Sequence, residues 1–276
     1  MIQKLIASLT GTYLNSMAYL YPSLTARQGL ALFCKPFRTP LKDYQLKFLN
    51  AADLFSFEHD DVTIQGYRWG NGSKKILFLH GWQSHTFRWK AYIEALLKDD
   101  YTIYAIDAPG HGLSEGSFLS VPYYSAVIQQ LMASLGRVHT IIAHSVGSFS
   151  VLHAFHQQPN LPVEQLILTA PPGEASDFIQ FYKDTLRLNG KALALILDEF
   201  ERKFHKPISY FSSARFAQDV SIPGIIIHDE GDLETPYDYA VAINKNWSNS
   251  KLITSQGLGH NLKSKDVIKV VVDYIT

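Results

Sequence analysis

Six short β-prone runs, most of them followed by a helix-prone stretch, limit what this chain can fold into. They cover residues 76–79, 102–106, 140–143, 165–170, 224–228 and 251–254. The first, Ile76-Leu77-Phe78-Leu79, is apolar throughout rather than alternating. Such a run suits a strand buried on both faces, the environment of a parallel sheet covered by helices. Helical stretches are expected at about 87–97, 123–135 and 148–156 and again after the last two strands. Strand and helix in alternation predict an α/β fold with a mostly parallel, twisted sheet flanked by helices. Two earlier runs, 54–57 and 62–69, meet at the turn residues Asp60 and Asp61 and read as an antiparallel edge. Asn71-Gly72 is a further turn signal.

One segment breaks this rhythm. Residues 173–222 hold no convincing buried strand, yet Phe178, Phe181, Tyr182, Leu186, Leu193, Ile196, Leu197, Phe200 and Phe204 recur at helical spacing. A stretch this apolar has to pack, so it is expected to be an inserted helical cap rather than a linker. Residues 1–53 form a separate N-terminal segment in this reading, helical and then broken by Pro36 and Pro40, with the α/β domain over 54–276.

With 276 residues, 46% hydrophobic and 18% charged, the chain can bury a large core and is not disordered in character. Its formal net charge is zero, which argues against nucleic acid as a partner and for a small neutral or amphipathic ligand. Cys34 is the single cysteine and reads as a small buried hydrophobe. Near the N-terminus, Ile2, Leu5, Ile6, Leu9, Tyr13, Met17, Leu20 and Leu24 follow helical spacing. Ser8, Thr10, Asn15 and Ser16 interrupt them, so the segment is a poor signal peptide and too polar to span a membrane. A helix docked on the domain is the plain expectation and contact of residues 1–24 with a membrane surface the sharper one. The expected location is the cytoplasm.

The chemistry gathers where strands end. Ala143-His144-Ser145-Val146-Gly147 lies between a strand and a helix, and small residues on both sides of Ser145 permit the sharp turn that exposes a nucleophile. An oxyanion formed at Ser145 needs two backbone donors, expected from Val146 and from Trp82 in His80-Gly81-Trp82. Asp107-Ala108-Pro109-Gly110-His111-Gly112-Leu113-Ser114 lacks the glycine spacing and lysine of a phosphate loop and reads as structural. In the loop from His228 to Pro236, Asp232 is the preferred acid and Asp229 its rival. His260, after Gly257 and Gly259, is the candidate general base, because Ser145, Asp232 and His260 occur in the order Ser, Asp, His. His144 is expected to point into packing. No histidine spacing suggests a metal site, and the chemistry calls for no cofactor.

Taken together, these motifs resemble the α/β-hydrolase fold superfamily from about residue 54 onward. His80-Gly81-Trp82 is similar to its oxyanion loop, residues 107–114 to its Asp-x-x-Gly-x-Gly-x-Ser turn, and residues 143–147 to its nucleophile elbow, with Ala143 where glycine is usual. Residues 228–236 resemble its acid loop, with Asp229 in place of glycine, and Gly257-Leu258-Gly259-His260 resembles its histidine loop. The resemblance implies a serine hydrolase acting on a small carboxylic ester or thioester through Ser145, His260 and Asp232. Ser145 argues against the family's dehalogenases and epoxide hydrolases, which use aspartate. An acyltransferase or C–C bond hydrolase would use the same triad, and a non-catalytic ligand-binding protein would keep the scaffold without the reaction.

Overall fold

A computed structural model describes residues 2–276, and the side chains of Ile2 and Gln3 lie outside what is described. The strands are β1 (Asp53–His59), β2 (Val62–Trp69), β3 (Lys74–Leu79), β4 (Tyr101–Ile106), β5 (Val138–His144), β6 (Val163–Thr169), β7 (Gly224–Asp229) and β8 (Ser250–Ser255). They form one sheet in the order β1-β2-β4-β3-β5-β6-β7-β8. β2 runs antiparallel to both β1 and β4, and every other pairing is parallel. The hairpin between β1 and β2 closes at Asp60 and Asp61, both at positive φ, 47° and 59°. Asn71-Gly72 closes no hairpin. The strand beside β2 is β4 rather than β3, and the Gly72 N–H donates to the Tyr101 carbonyl at 3.2 Å instead.

The helices are α1 (Ile2–Leu20), α2 (Pro22–Phe33), α3 (Asp43–Leu49), α4 (Lys90–Leu96), α5 (Val121–Leu135), α6 (Val146–Gln157), α7 (Ala175–Leu186), α8 (Gly190–Phe204), α9 (Ser213–Ala217), α10 (Tyr237–Asn246) and α11 (Lys265–Ile275). Ser120 and Ser264 cap α5 and α11 by accepting a backbone N–H in the first turn, which satisfies donors that a helix start leaves free. Alternation along β3 divides the core. Ile76 and Phe78 join Trp89, Ile93 and Leu96 near α4 and Val267, Val271 and Ile275 of α11. Leu77 and Leu79, equally buried, point to the other face.

The chain divides into two compact units. One comprises residues 36–173 and 213–276 and contains the whole sheet; the other comprises residues 1–35 and 174–212. This grouping differs from the boundaries expected from sequence at 53 and 173–222. Residues 36–53 and α9 go with the sheet, whereas α1 and α2 go with the helical insertion. The physical reason lies in α1 and α2 themselves. A Cβ on Gly11 would come 1.7 Å from the Leu186 carbonyl oxygen, and one on Gly29 would overlap Ile196, so both glycines permit close helix contact. Asn15 then bridges, donating to the Arg187 carbonyl at 2.9 Å and accepting from the Asn189 N–H at 2.8 Å. Small residues thus choose the buried face of α1. Gly11, Leu14 and Ala18 are buried, while Leu5, Ile6, Leu9, Tyr13 and Leu20, part of the expected apolar stripe, are exposed. Cys34 is buried, and burial pushes its thiol up to about 12. Among the described residues no helix is long and apolar enough to cross a membrane.

Candidate active site

The strand order places a crevice before any side chain is considered. From β3 the chain moves to β4 on one side, then returns to β5 on the other, so β3 and β5 are neighbours at a topological switch point. Loops leaving the carboxyl ends of such strands diverge and leave room for a ligand. Residues 80–83 follow β3 and Ser145 follows β5.

Ser145 sits at φ 52° and ψ −125°, a backbone region that costs a non-glycine residue on the order of 1–3 kcal/mol. Its neighbours hold it there. The Ser145 N–H donates to the Thr169 carbonyl at 3.0 Å, and Thr169 Oγ1 donates to the Ala143 carbonyl at 2.9 Å. Gly147 is needed for space, since a Cβ there would lie 2.7 Å from the carbonyl oxygens of both Leu79 and His80. Gly81 is pressed against Ser145 in the same way, because its Cβ would fall 2.7 Å from Ser145 Cβ. The loop after β3 and the turn at Ser145 are therefore in contact. Val146 begins α6, where a backbone N–H has no intrahelical acceptor.

Two neutral histidines shape the loop after β3. The His80 Nδ1–H donates to the Gly81 carbonyl at 2.8 Å while Nε2 accepts from the Ala108 N–H at 2.9 Å. The His111 Nδ1–H donates to the Pro109 carbonyl at 3.0 Å while Nε2 accepts from the Gln83 N–H at 3.0 Å. Asp107 ties the same region together. It accepts from the Thr86 N–H at 2.8 Å, the Leu113 N–H at 2.9 Å and Tyr67 Oη at 2.8 Å, which agrees with the structural role read for residues 107–114.

Ser145 Oγ lies 3.0 Å from His260 Nε2, and His260 Nδ1 lies 2.8 Å from Asp232 Oδ2. Five donors converge on Asp232. Oδ1 accepts the N–H groups of Glu234 and Thr235 at 2.9 and 3.0 Å. Oδ2 accepts Thr235 Oγ1 at 2.8 Å and the His260 Nδ1–H, and it lies 3.3 Å from His228 Nε2. Burial alone would raise this carboxyl, but the bonds from His228, His260 and Thr235 outweigh it and hold the group well below the usual carboxylate range.

Among the described residues no ring nitrogen meets the rival Asp229. It accepts from the Gly231 N–H at 3.0 Å, Ser255 Oγ at 2.9 Å and the Leu258 N–H at 2.9 Å, and so pins the loop that carries His260. Sequence reasoning missed Thr235 and His228. Thr235, three residues after Asp232 in a turn, is a spacing that could have pointed to it; His228 opens the acid loop that the sequence delimits, but the sequence assigns no role to its ring. Glu234, an exposed side chain, places Oε2 3.9 Å from His260 Nε2. Among the described residues no group of three or more His, Cys, Asp or Glu side chains is arranged to hold a metal ion.

Burial also sets a pH dependence. It draws His80, His111 and His144 below the ordinary histidine value of 6.5, and His153 down to about 4. For a base depressed by folding, the unfolded chain binds more protons between the two values. The stability these groups contribute is therefore complete above about pH 6.5 and is lost as pH falls below it. His153 by itself accounts for about 3 kcal/mol by pH 4. Urea unfolding followed from pH 7 to pH 4 should show a continuous loss of stability starting near pH 6.5. A flat profile down to pH 5 would contradict these assignments.

Comparison with known proteins agrees with this architecture. A family model described as "Serine aminopeptidase, S33" matches residues 70–228. The match includes Trp82 and Ser145 and ends before Asp232 and His260. A bifunctional esterase/perhydrolase of Acinetobacter calcoaceticus is 23% identical over 266 residues, with 78% of this chain and 96% of that protein covered. A serine hydrolase-like protein of Danio rerio is 34% identical over 103 residues, which cover 35% of this chain and only 31% of that protein. Among solved structures, a putative lipase from Acinetobacter baumannii AYE superposes with a TM-score of 0.64 at 17% identity, over 86% of this chain and 97% of that one. The strand order, the elbow after β5 and the family match over more than half of the chain lead to one conclusion: this protein belongs to the α/β hydrolases, in the family described as serine aminopeptidase, S33.

Proposed function

We propose that this hydrolase cleaves a small carboxylic ester or thioester through an acyl-enzyme formed on Ser145, with His260 as general base and acid and Asp232 as its orienting carboxylate. The observation that carries the reading is the unbroken line from Ser145 Oγ through His260 to Asp232, with 3.0 and 2.8 Å steps. His260 Nε2 takes the Ser145 proton as Oγ attacks the carbonyl. Asp232 keeps the other ring proton on Nδ1, so that Nε2 is free to accept, and stabilises the imidazolium that forms. The N–H groups of Trp82 and Val146 receive the oxyanion, a role supported by the close approach of Gly81, the residue before Trp82, to Ser145. The imidazolium then gives its proton to the leaving group, and the returned base activates water for release of the acid.

A second reading retains the triad and changes the acceptor. Transfer of the acyl group to peroxide or an alcohol is favoured by the relative described as a bifunctional esterase/perhydrolase, which aligns with 78% of this chain. A panel of p-nitrophenyl esters from acetate to long acyl chains tests the first reading, with hydrogen peroxide or short alcohols added to test the second. Turnover with one chain-length optimum supports the hydrolase, and a per-acid or a new ester among the products supports transfer. Tight binding of esters without any turnover would oppose both.

A further inference from the structure

Arg88 is a cation held by neutral acceptors. It follows the oxyanion loop in the 3-10 turn Thr86–Trp89, part-buried, with its guanidinium 4.9 Å from the centre of the Trp89 ring. Among the described residues no carboxylate pairs with it. Its donors go elsewhere, Nη1 to His144 Nδ1 at 2.9 Å and Nη2 to the Asn261 carbonyl at 3.4 Å.

This arrangement dictates a tautomer. A guanidinium can only donate, so His144 Nδ1 must accept and the ring proton must sit on Nε2. That nitrogen lies 2.9 Å from the carbonyl oxygen of His260, which can only accept. The donors therefore run one way, from Arg88 through His144 to the backbone of the catalytic histidine. The His144 ring also meets the His260 ring edge to face, with centroids 4.9 Å apart. Burial first, and then the nearby Arg88, holds His144 well below the usual histidine range, so it remains an acceptor at neutral pH. Burial draws Arg88 down only to about 10, so the guanidinium stays charged.

The histidine loop needs such a restraint. Gly257 and Gly259 adopt positive φ, 77° and 58°, and a Cβ on either would meet nothing within 4 Å. No side chain restricts those two residues, and Asp229 grips the loop only on the near side of His260, at the Leu258 N–H. Asp232 holds one ring atom of His260, which leaves the backbone of residues 260 and 261 to be fixed by something else. We propose that Arg88 and His144 are positioning residues, a strut that grips the carbonyls of His260 and Asn261 and so keeps His260 Nε2 in line with Ser145 Oγ. This inference rests on the triad reading of Ser145, His260 and Asp232.

Two substitutions at one position separate the strut from simple packing. His144→Leu keeps bulk and removes both polar atoms, whereas His144→Gln again offers an acceptor to Arg88 and a donor to the His260 carbonyl. His144→Leu and Arg88→Met should each lower kcat by about 100-fold at unchanged KM, the scale expected when a catalytic group is displaced by an ångström. His144→Gln should recover most of the lost rate, and the Arg88→Met/His144→Leu double variant should be no slower than the slower single variant. The downfield proton resonance of the His260 Nδ1–H bonded to Asp232 gives a readout that needs no turnover. It should be sharp in the wild type and in His144→Gln, and exchange-broadened in His144→Leu. A wild type that turns over no ester but shows this contrast fails the proposed reaction and keeps the strut. Wild-type kcat with a sharp resonance in His144→Leu, or His144→Gln as impaired as His144→Leu, overturns it. If Arg88→Met does not fold, the two His144 variants decide alone.

Discussion

Ser145→Ala should lower kcat on any ester that the wild type turns over by roughly 10⁶-fold, with the fold intact. Oγ is the atom 3.0 Å from His260 Nε2, and no other hydroxyl bonds to that nitrogen among the described residues. The fold should survive because the elbow is held by backbone and Thr169 contacts, not by Oγ. Alanine keeps the positive φ of 52° and its strain, so the midpoint of thermal unfolding should stay near that of the wild type. Ser145→Gly should be equally inactive yet more stable than Ser145→Ala by about 1 kcal/mol, since glycine adopts this backbone freely. Ester turnover by Ser145→Ala at the wild-type rate would remove the proposed mechanism.

Asp232→Asn should lower kcat by about 10⁴-fold, and the surrounding donors explain why so conservative a change is severe. Oδ1 accepts two backbone N–H groups, those of Glu234 and Thr235. An asparagine there has to keep its carbonyl oxygen on those donors, which turns its amide toward His260. The amide donates, so His260 Nδ1 must become the acceptor and the ring proton moves to Nε2. A protonated Nε2 facing Ser145 Oγ cannot take the serine's proton. Proton NMR should show the Nδ1–H resonance lost in this variant. Asp229→Asn makes a useful contrast. Asp229 holds the loop at Leu258 and Ser255 and, among the described residues, touches no ring nitrogen, so that change should disturb the loop while leaving the Nδ1 tautomer in place. Equal kcat for Asp232→Asn and wild type would identify another acid as the partner of His260.

Much of this was legible in the sequence, for a local reason. The apolar run Ile76-Leu77-Phe78-Leu79 suits a strand covered on both faces, and β3 is one. Gly147, two residues after Ser145, announced a crowded turn, and its missing side chain is what lets two carbonyl oxygens approach. Features of this kind depend on steric and periodic demands within a few residues, which a sequence displays directly. The choice between Asp232 and Asp229 was harder. Both lie in one short loop, and the sequence argument for Asp232 was its place in the turn after Gly231. In the structure they differ by where each carboxylate points, one at a histidine ring and one at the loop that carries it.

Other features belonged to tertiary structure alone. The apolar spacing near the N-terminus correctly marked a helix, but not its buried face. Gly11 marks that face because it lets α1 approach the chain at Leu186, a partner far away in sequence, and Ala18 is buried on the same helix. His144 was expected to be packing and is buried, yet its two nitrogens connect Arg88, 56 residues before it, to the His260 carbonyl, 116 residues after it. No short pattern can encode a hydrogen bond across such separations. By itself, then, the sequence determined the strands, the strained turn at Ser145 and the order of the three site residues, because local sterics and periodicity act within a few residues. Only the folded chain decided which carboxylate reaches His260, which helices group with the insertion and what restrains the histidine loop, because those depend on groups that meet only once the sheet has formed.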